Sequence, residues 1–235
     1  MATELARCGW AQSHPLNAEY HDKEWGVPLH DDRMLFEMLN LEGAQAGLSW
    51  LTVLKKRHNY RLAFDNFQAH KIVKYDAAKI AQLLADEGII RNRLKVNAVV
   101  ENARTYLGIL EEGQRFDDYI WQFTDGKPLV NHWKNMKEVP ATSAQSDAMS
   151  KALRKRGFKF VGSTICYAFI LCRRWAWWTI TLLIVGAGLR REGNGRFRAE
   201  LAVIPEFNDV LGACGCAAKT TQRFGFNRQQ KLTCT

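Results

Sequence analysis

The sequence lacks an apolar run long enough to span a bilayer. Its most hydrophobic stretch, Trp175 to Leu189 behind Arg173-Arg174, is fifteen residues, short of the ~20 that a transmembrane helix needs, so no membrane segment is expected. The opening Met-Ala-Thr-Glu-Leu-Ala-Arg-Cys carries neither an apolar core nor a small-residue cleavage pattern, and no signal peptide is expected. Cysteines fall only at 8, 166, 172, 214, 216 and 234. That spacing over this length excludes a disulfide scaffold and fits a reducing, cytoplasmic compartment. Strand-like alternation is nowhere sustained, which argues against a sheet. Internal repeats and low-complexity segments are also missing, and with them solenoid and linker-rich classes.

What is present is an ordinary globular composition. The chain has 235 residues, 47% hydrophobic and 24% charged, enough for one generous domain or a domain with an extension. Its net charge is +9, which favours a polyanionic partner, nucleic acid above a membrane surface. The charge is unevenly placed: residues 1–170 carry +3 and 171–235 carry +6. The body reads as successive helices. Apolar residues recur at three-to-four spacing over Asp32 to Leu41, Ala46 to Arg57, Ala77 to Glu87, Arg93 to Leu110, Phe116 to Phe123 and Ser146 to Arg156. Asp31 or Asp32 and Ser143 or Ser146 supply N-caps, while Gly88, Gly113, Gly126 and Gly157 stand just beyond helix ends. The fold class is all-α. Near residue 170 the amphipathic pattern gives way to Gly, Arg and isolated apolar runs, so two regions are expected, 1–170 and 171–235.

Three stretches carry chemistry. Cys8 and His21 are two zinc-capable ligands near the N-terminus, although a zinc site needs four; the alternative is a buried thiol and a surface imidazole that never meet. Leu41 to Trp50 (LEGAQAGLSW) places Glu42 at an apolar helix end and Trp50 beyond a Gly-rich turn. A carboxylate and an indole so spaced suit a pocket that accepts hydrogen bonds and stacks a flat ring, whereas the bland reading is a capping Glu and a core Trp. Ser150 to Thr164 is a basic helix end, a turn with Gly157 and Gly162, and a second helix. With Lys151, Arg154, Lys155, Arg156 and Lys159 beside it, this suits a phosphate grip, or is a solvated basic face.

These stretches together resemble one family. Arg7-Cys8-Gly9-Trp10, Tyr20-His21-Asp22 with Glu24-Trp25-Gly26-Val27-Pro28, Leu35-Phe36-Glu37-Met38, Leu41-Glu42-Gly43 with Gln45-Ala46-Gly47-Leu48-Ser49-Trp50, Gly88-Ile89-Ile90-Arg91 and Lys155 to Gly162 (KRGFKFVG) are similar to the 3-methyladenine DNA glycosylase I family. That family lies within the helix-hairpin-helix glycosylases. The resemblance covers roughly seven tenths of the chain, Arg7 to about Ile170. It implies a monomeric hydrolase that removes 3-methyladenine from double-stranded alkylated DNA, in an all-α bundle with an irregular N-terminal arm. It assigns the base to Glu42, Tyr20 and Trp50, the pocket walls to Trp10 and Trp25, and a wedge to Gly47-Leu48. DNA phosphate falls to Lys155, Arg156, Gly157, Lys159, Gly162 and Ser163. No lysine is evidently placed as a Schiff-base nucleophile, so a monofunctional enzyme is expected.

The C-terminal quarter departs from the family. The resemblance implies a structural zinc held by Cys8, His21 and two ligands in a C-terminal Val-(Asn/Asp)-Asp-His-x3-Cys, yet no histidine follows His132. Trp177-Trp178-Thr179 can be encoded only as TGG-TGG-ACN, and displacing that frame by one base forces Val-Asp; the codons of Ile180, Thr181 and Val185 then permit Asp, His and Cys in the family's order. The tail from about residue 171 therefore reads as a frame-shifted translation, expected to be disordered. The alternative function is a catalytically impaired DNA-binding copy that has lost half of its zinc site.

Overall fold

The computed structural model describes residues 7–129, 131, 136–171, 190–191 and 197–198. Nine α-helices lie among them: α1 Pro15–Lys23, α2 Asp32–Gln45, α3 Trp50–Ala63, α4 Ala69–Ile72, α5 Ala77–Ala85, α6 Arg93–Glu111, α7 Phe116–Trp121, α8 Ala144–Arg156 and α9 Ser163–Leu171. The chain divides into two compact units, Met1–Ile180 and Thr181–Thr235. Within the second, the described residues are two strands, β1 Arg190–Arg191 and β2 Phe197–Arg198, paired antiparallel. Apart from Leu171 and these four strand residues, the region of the expected tail disorder and frame-shift reading lies outside the described residues.

Helix α2 is the centre of the first unit and packs against α3, α6, α7 and α9. It is apolar nearly all round, and Leu35, Phe36, Met38, Leu39 and Leu41 are fully buried, as a helix enclosed on every side requires. Helix α6 lays Val96, Val99, Val100, Ala103, Tyr106 and Ile109 on one face toward this core. Met149 and Leu153 of α8 and Cys166 and Phe169 of α9 close it.

The helix starts follow their caps. Asp31 accepts from Met34 N at 2.7 Å, Asp76 from Lys79 N at 2.8 Å and Asn92 from Lys95 N at 3.1 Å, each satisfying a first-turn amide that the helix itself leaves open. Ser143 and Ser146 form a reciprocal capping box on α8. One boundary moves: the periodic run from Ala46 starts as a helix only at Trp50. Gly47 sits at φ +77 and Ser49 caps α3 through Thr52 N at 3.2 Å, so residues 46–49 form a turn. The N-terminal arm is more regular than expected, with a 3-10 turn over Gly9–Ser13 followed by α1. Among the described residues, no helix is long and apolar enough to cross a membrane.

Candidate active site

The arm delivers its aromatic residues to one place. Trp10 stands in the 3-10 turn, Tyr20 and His21 on α1, Trp25 just beyond α1, and Trp50 opens α3. Tyr20 meets Trp50 with ring centroids 5.2 Å apart and Trp10 at 6.4 Å. Trp10 is edge-on to Trp25 at 5.5 Å, and His21 stacks on Trp25 at 5.3 Å. These separations lie within the attractive range for aromatic pairs, so the cluster is one contiguous wall. Trp50 Nε1 is buried without a hydrogen-bond partner among the described residues. Such a donor is costly to leave unmade.

Glu42 lies in the last turns of α2 and is 3% exposed. It is therefore a buried helical carboxylate rather than a cap. The turn from α2 into α3 then carries Gly47 and Leu48, and Leu48 is exposed. Lys95, at the start of α6, donates from Nζ to the Ala44 carbonyl at 2.8 Å and the Ala46 carbonyl at 2.7 Å, tying off the open end of α2. Burial holds its ammonium below the usual lysine value.

A charge network missed in the sequence fixes the arm. Arg57 of α3 donates to both oxygens of Glu24 at 2.7 Å and to Glu37 Oε1 at 2.8 Å. Glu37, wholly buried on α2, also takes Arg61 Nη2 at 2.7 Å and Arg33 Nη1 at 3.3 Å. Burial alone would raise the Glu37 carboxyl, but the hydrogen bonds from Arg61 and Arg57 outweigh it and hold the group below the ordinary range. Glu24 immediately precedes Trp25, so Arg57 anchors the outer edge of the aromatic wall. The available sequence signal was three polar residues, Glu37, Asn40 and Glu42, inside an otherwise apolar α2.

The basic hairpin forms as two helices and a short connection. Gly157 ends α8 at φ +110, with Phe158 N donating to Leu153 O at 3.0 Å and Gly157 N to Arg154 O at 3.0 Å, the glycine-terminated ending that satisfies the last carbonyls. Lys151, Arg154, Lys155 and Lys159 are exposed. Arg156 is placed differently: it donates to both oxygens of Glu112 at 2.6 Å and lies 5.4 Å above the Tyr119 ring, which binds it to the protein. Ser163, at the first position of α9, donates to Asp147 and lies 3.1 Å from the Ser146 hydroxyl.

The two constellations touch. A Cβ on Gly43 would stand 3.0 Å from Phe160 Cβ and 3.2 Å from the Phe160 carbonyl oxygen, so the α2 backbone next to Glu42 lies directly against the hairpin.

For a metal, Cys8 and His21 do approach each other. Cys8 N donates to His21 Nε2 at 3.5 Å, and His21 Nδ1 faces Asp22 Oδ1 at 3.0 Å. Burial pushes the Cys8 thiol above its ordinary value. No group of three or more metal-binding side chains occurs among the described residues, whereas structural zinc takes four; these residues do not fit a closed site. Cys172, Cys214, Cys216 and Cys234 lie outside the described residues.

The family model of the methyladenine glycosylases matches residues 10–172. The chain belongs to the methyladenine glycosylase family. It is 50% identical over 166 residues to "DNA-3-methyladenine glycosylase 1" of Escherichia coli (strain K12), covering 71% of this chain and 89% of that one. A crystal structure of 3-methyladenine DNA glycosylase I superposes with TM-score 0.70 at 48% identity, over 72% of this chain and 92% of the other. A variant of 3-methyladenine DNA glycosylase I solved in complex with 3-methyladenine superposes with TM-score 0.68 at 33% identity, over 71% and 89%. For this methyladenine glycosylase the matched region ends at residue 172, within two residues of the composition break.

Proposed function

We propose that the protein is a monofunctional DNA glycosylase of base-excision repair that hydrolyses the N-glycosidic bond of 3-methyladenine in double-stranded alkylated DNA. Family membership supports the reaction class. The observation that carries the reading is a buried carboxylate, Glu42, three residues of helix before the turn that leads to an aromatic wall of Trp10, Tyr20, Trp25 and Trp50. Methylation at N3 leaves the adenine cationic and its bond to C1′ already weak. Water adds to C1′, the bonding pair departs with the base as neutral 3-methyladenine, and the water's proton passes to solvent. No general acid is needed for that leaving group. What helps is a site complementary to the cationic base: Glu42 as hydrogen-bond acceptor, Trp50 for stacking, Tyr20 beside it, and Trp10 with Trp25 as walls.

Leu48, exposed on its turn, is the side chain that fills the gap left by the flipped nucleotide. Lys155 and Lys159, with the backbone of Gly157, Gly162 and Ser163, take phosphate through a helix-hairpin-helix unit; Arg156 contributes less, being held by Glu112. Lys95 is committed to two backbone carbonyls, which supports the absence of a lyase step. The two described cysteines are free thiols, which supports a reducing, cytoplasmic setting, and a monomer suffices because the pocket and hairpin belong to one chain.

Zinc belongs to a second reading. Among the described residues Cys8 and His21 are the members of the expected set that are brought together, and with no histidine after His132 in the sequence this favours a chain in which the metal clasp is incomplete and excision is correspondingly impaired. Release of 3-methyladenine from methylated duplex DNA, followed chromatographically, decides between the two. Full activity is expected for the wild type, with Glu42→Ala abolishing release but retaining non-specific DNA binding. A wild type that binds DNA without releasing base supports the impaired copy, and unchanged release by Glu42→Ala overturns the pocket assignment.

A further inference from the structure

Asn102, in the middle of α6, is 2% exposed. Both of its donor hydrogens and its carbonyl oxygen are engaged. Oδ1 accepts from Lys159 N at 2.7 Å, and Nδ2 donates to the Lys159 carbonyl at 3.2 Å and to Asn40 Oδ1 at 2.9 Å. Asn40 in turn donates from Nδ2 to the Phe36 carbonyl at 2.8 Å. One amide thus engages both backbone groups of a single hairpin residue, as a neighbouring strand would, and passes the connection to α2 two residues before Glu42. The next residue, Phe160, is a non-glycine at φ +53, a conformation that persists only where its surroundings over-determine it. Gly43 on the same helix leaves room for the Phe160 backbone and no more.

From this geometry we infer that Asn102 is a positioning residue for DNA engagement: it fixes the hairpin turn at a set distance and orientation from the helix that carries the base-binding carboxylate. The inference rests on the hairpin being the phosphate grip. A nucleotide rotated out of the duplex stays tethered to its flanking phosphates, so pocket and grip must be held in one register to receive both at once. Asn102 delivers that register without touching the substrate. Its loss therefore weakens binding of DNA and leaves the pocket able to take the free base.

The test reads binding separately from turnover, with a fluorescein-labelled duplex carrying an abasic-site analogue for the DNA arm and free 3-methyladenine, followed by tryptophan fluorescence, for the pocket arm. Asn102→Ala is expected to raise the duplex dissociation constant at least tenfold while free-base affinity stays within twofold. In turnover, KM for methylated DNA rises with kcat at saturation within twofold. Gly43→Ala serves as a second perturbation if Asn102→Ala folds poorly, because it displaces the turn and removes no hydrogen bond; it is expected to shift duplex affinity in the same direction. Parallel loss of base and duplex affinity, or unchanged duplex affinity in both variants, overturns the inference. Lys155→Ala/Lys159→Ala separates the two levels. If that variant weakens duplex binding and the Asn102 and Gly43 variants do not, the positioning role alone fails, whereas unchanged binding removes the hairpin reading and this one with it.

Discussion

Glu37 keeps its charge in the core of α2 because three arginines reach it, and this sets a pH dependence of folding. The carboxyl titrates below its ordinary range in the folded chain and near ~4.3 when unfolded. Its contribution is therefore fully present above the unfolded value and is lost as pH falls through the lower folded one. Urea unfolding at neutral pH is expected to show Glu37→Gln less stable by about 3–5 kcal/mol, since a buried pair loses one partner. The gap should narrow below about pH 4, and a constant gap down to pH 3 would count against it. Pattern reading could not find this residue: an acidic side chain within an apolar run is assigned to solvent by default, and only the all-round burial of α2 reveals where it points. Glu42 was legible because its place at an apolar helix end, before a Gly-rich turn and Trp50, already suggested a pocket, and the resemblance then assigned it to the base. At the same scale, Lys95 spends its ammonium on two carbonyls, so borohydride treatment during turnover should trap no protein–DNA adduct; a trapped species would show a lyase step.

Among elements, the N-terminal arm is the one whose structure was least readable. Helix α1 buries only Asn17 and Tyr20, too few to leave an apolar stripe, and its start depends on Pro15 at the first turn with His14 accepting from Leu16 N. The long helices α2 and α6 were legible because each buries a continuous face and is capped by Asp31 or Asn92, and the shorter α5 because Leu83 is buried, Ile80 and Leu84 pack beside it at helical spacing and Asp76 caps its start. The start of α3 was misjudged by four residues since apolar spacing continues through a turn that Gly47 and Ser49 enforce. What holds the arm has a measurable consequence. Arg57 to Glu24, Arg7 to Asp22 at 2.8 Å and the ring contacts do so through the protein's own side chains. Purified protein should carry well under one zinc per chain, and a chelator should leave the melting temperature unchanged. Arg57→Met, by contrast, should cost about 3 kcal/mol and weaken the near-ultraviolet circular dichroism of the tryptophan cluster. Stoichiometric zinc, or a chelator-induced drop in melting temperature, would falsify the metal-free arm.

For the whole molecule, net charge points to nucleic acid less directly than +9 implies, since residues 171–235 carry +6 of it. If DNA is gripped by the exposed lysines of the hairpin, about three phosphates are neutralised, and the logarithm of the binding constant should fall with the logarithm of salt at a slope near −3. A slope about twice as steep would place the main contact in the C-terminal quarter. Sequencing the gene tests the origin of that quarter: a displaced frame encoding the family's tail is expected, and an in-frame insertion with no such frame excludes it. The unit that does match the family is built so that α2, next to Glu42, and the basic hairpin abut at Gly43. This gives two glycines four positions apart opposite mutational tolerances. Position 43 should reject side chains larger than Ala for want of volume, whereas position 47, open around its missing Cβ but at φ +77, should accept Asn or Asp, which tolerate that backbone. In a saturation library selected for resistance to methylating agents, inherited variation in the pocket and in the grip would then be confined to changes that leave their shared seam untouched.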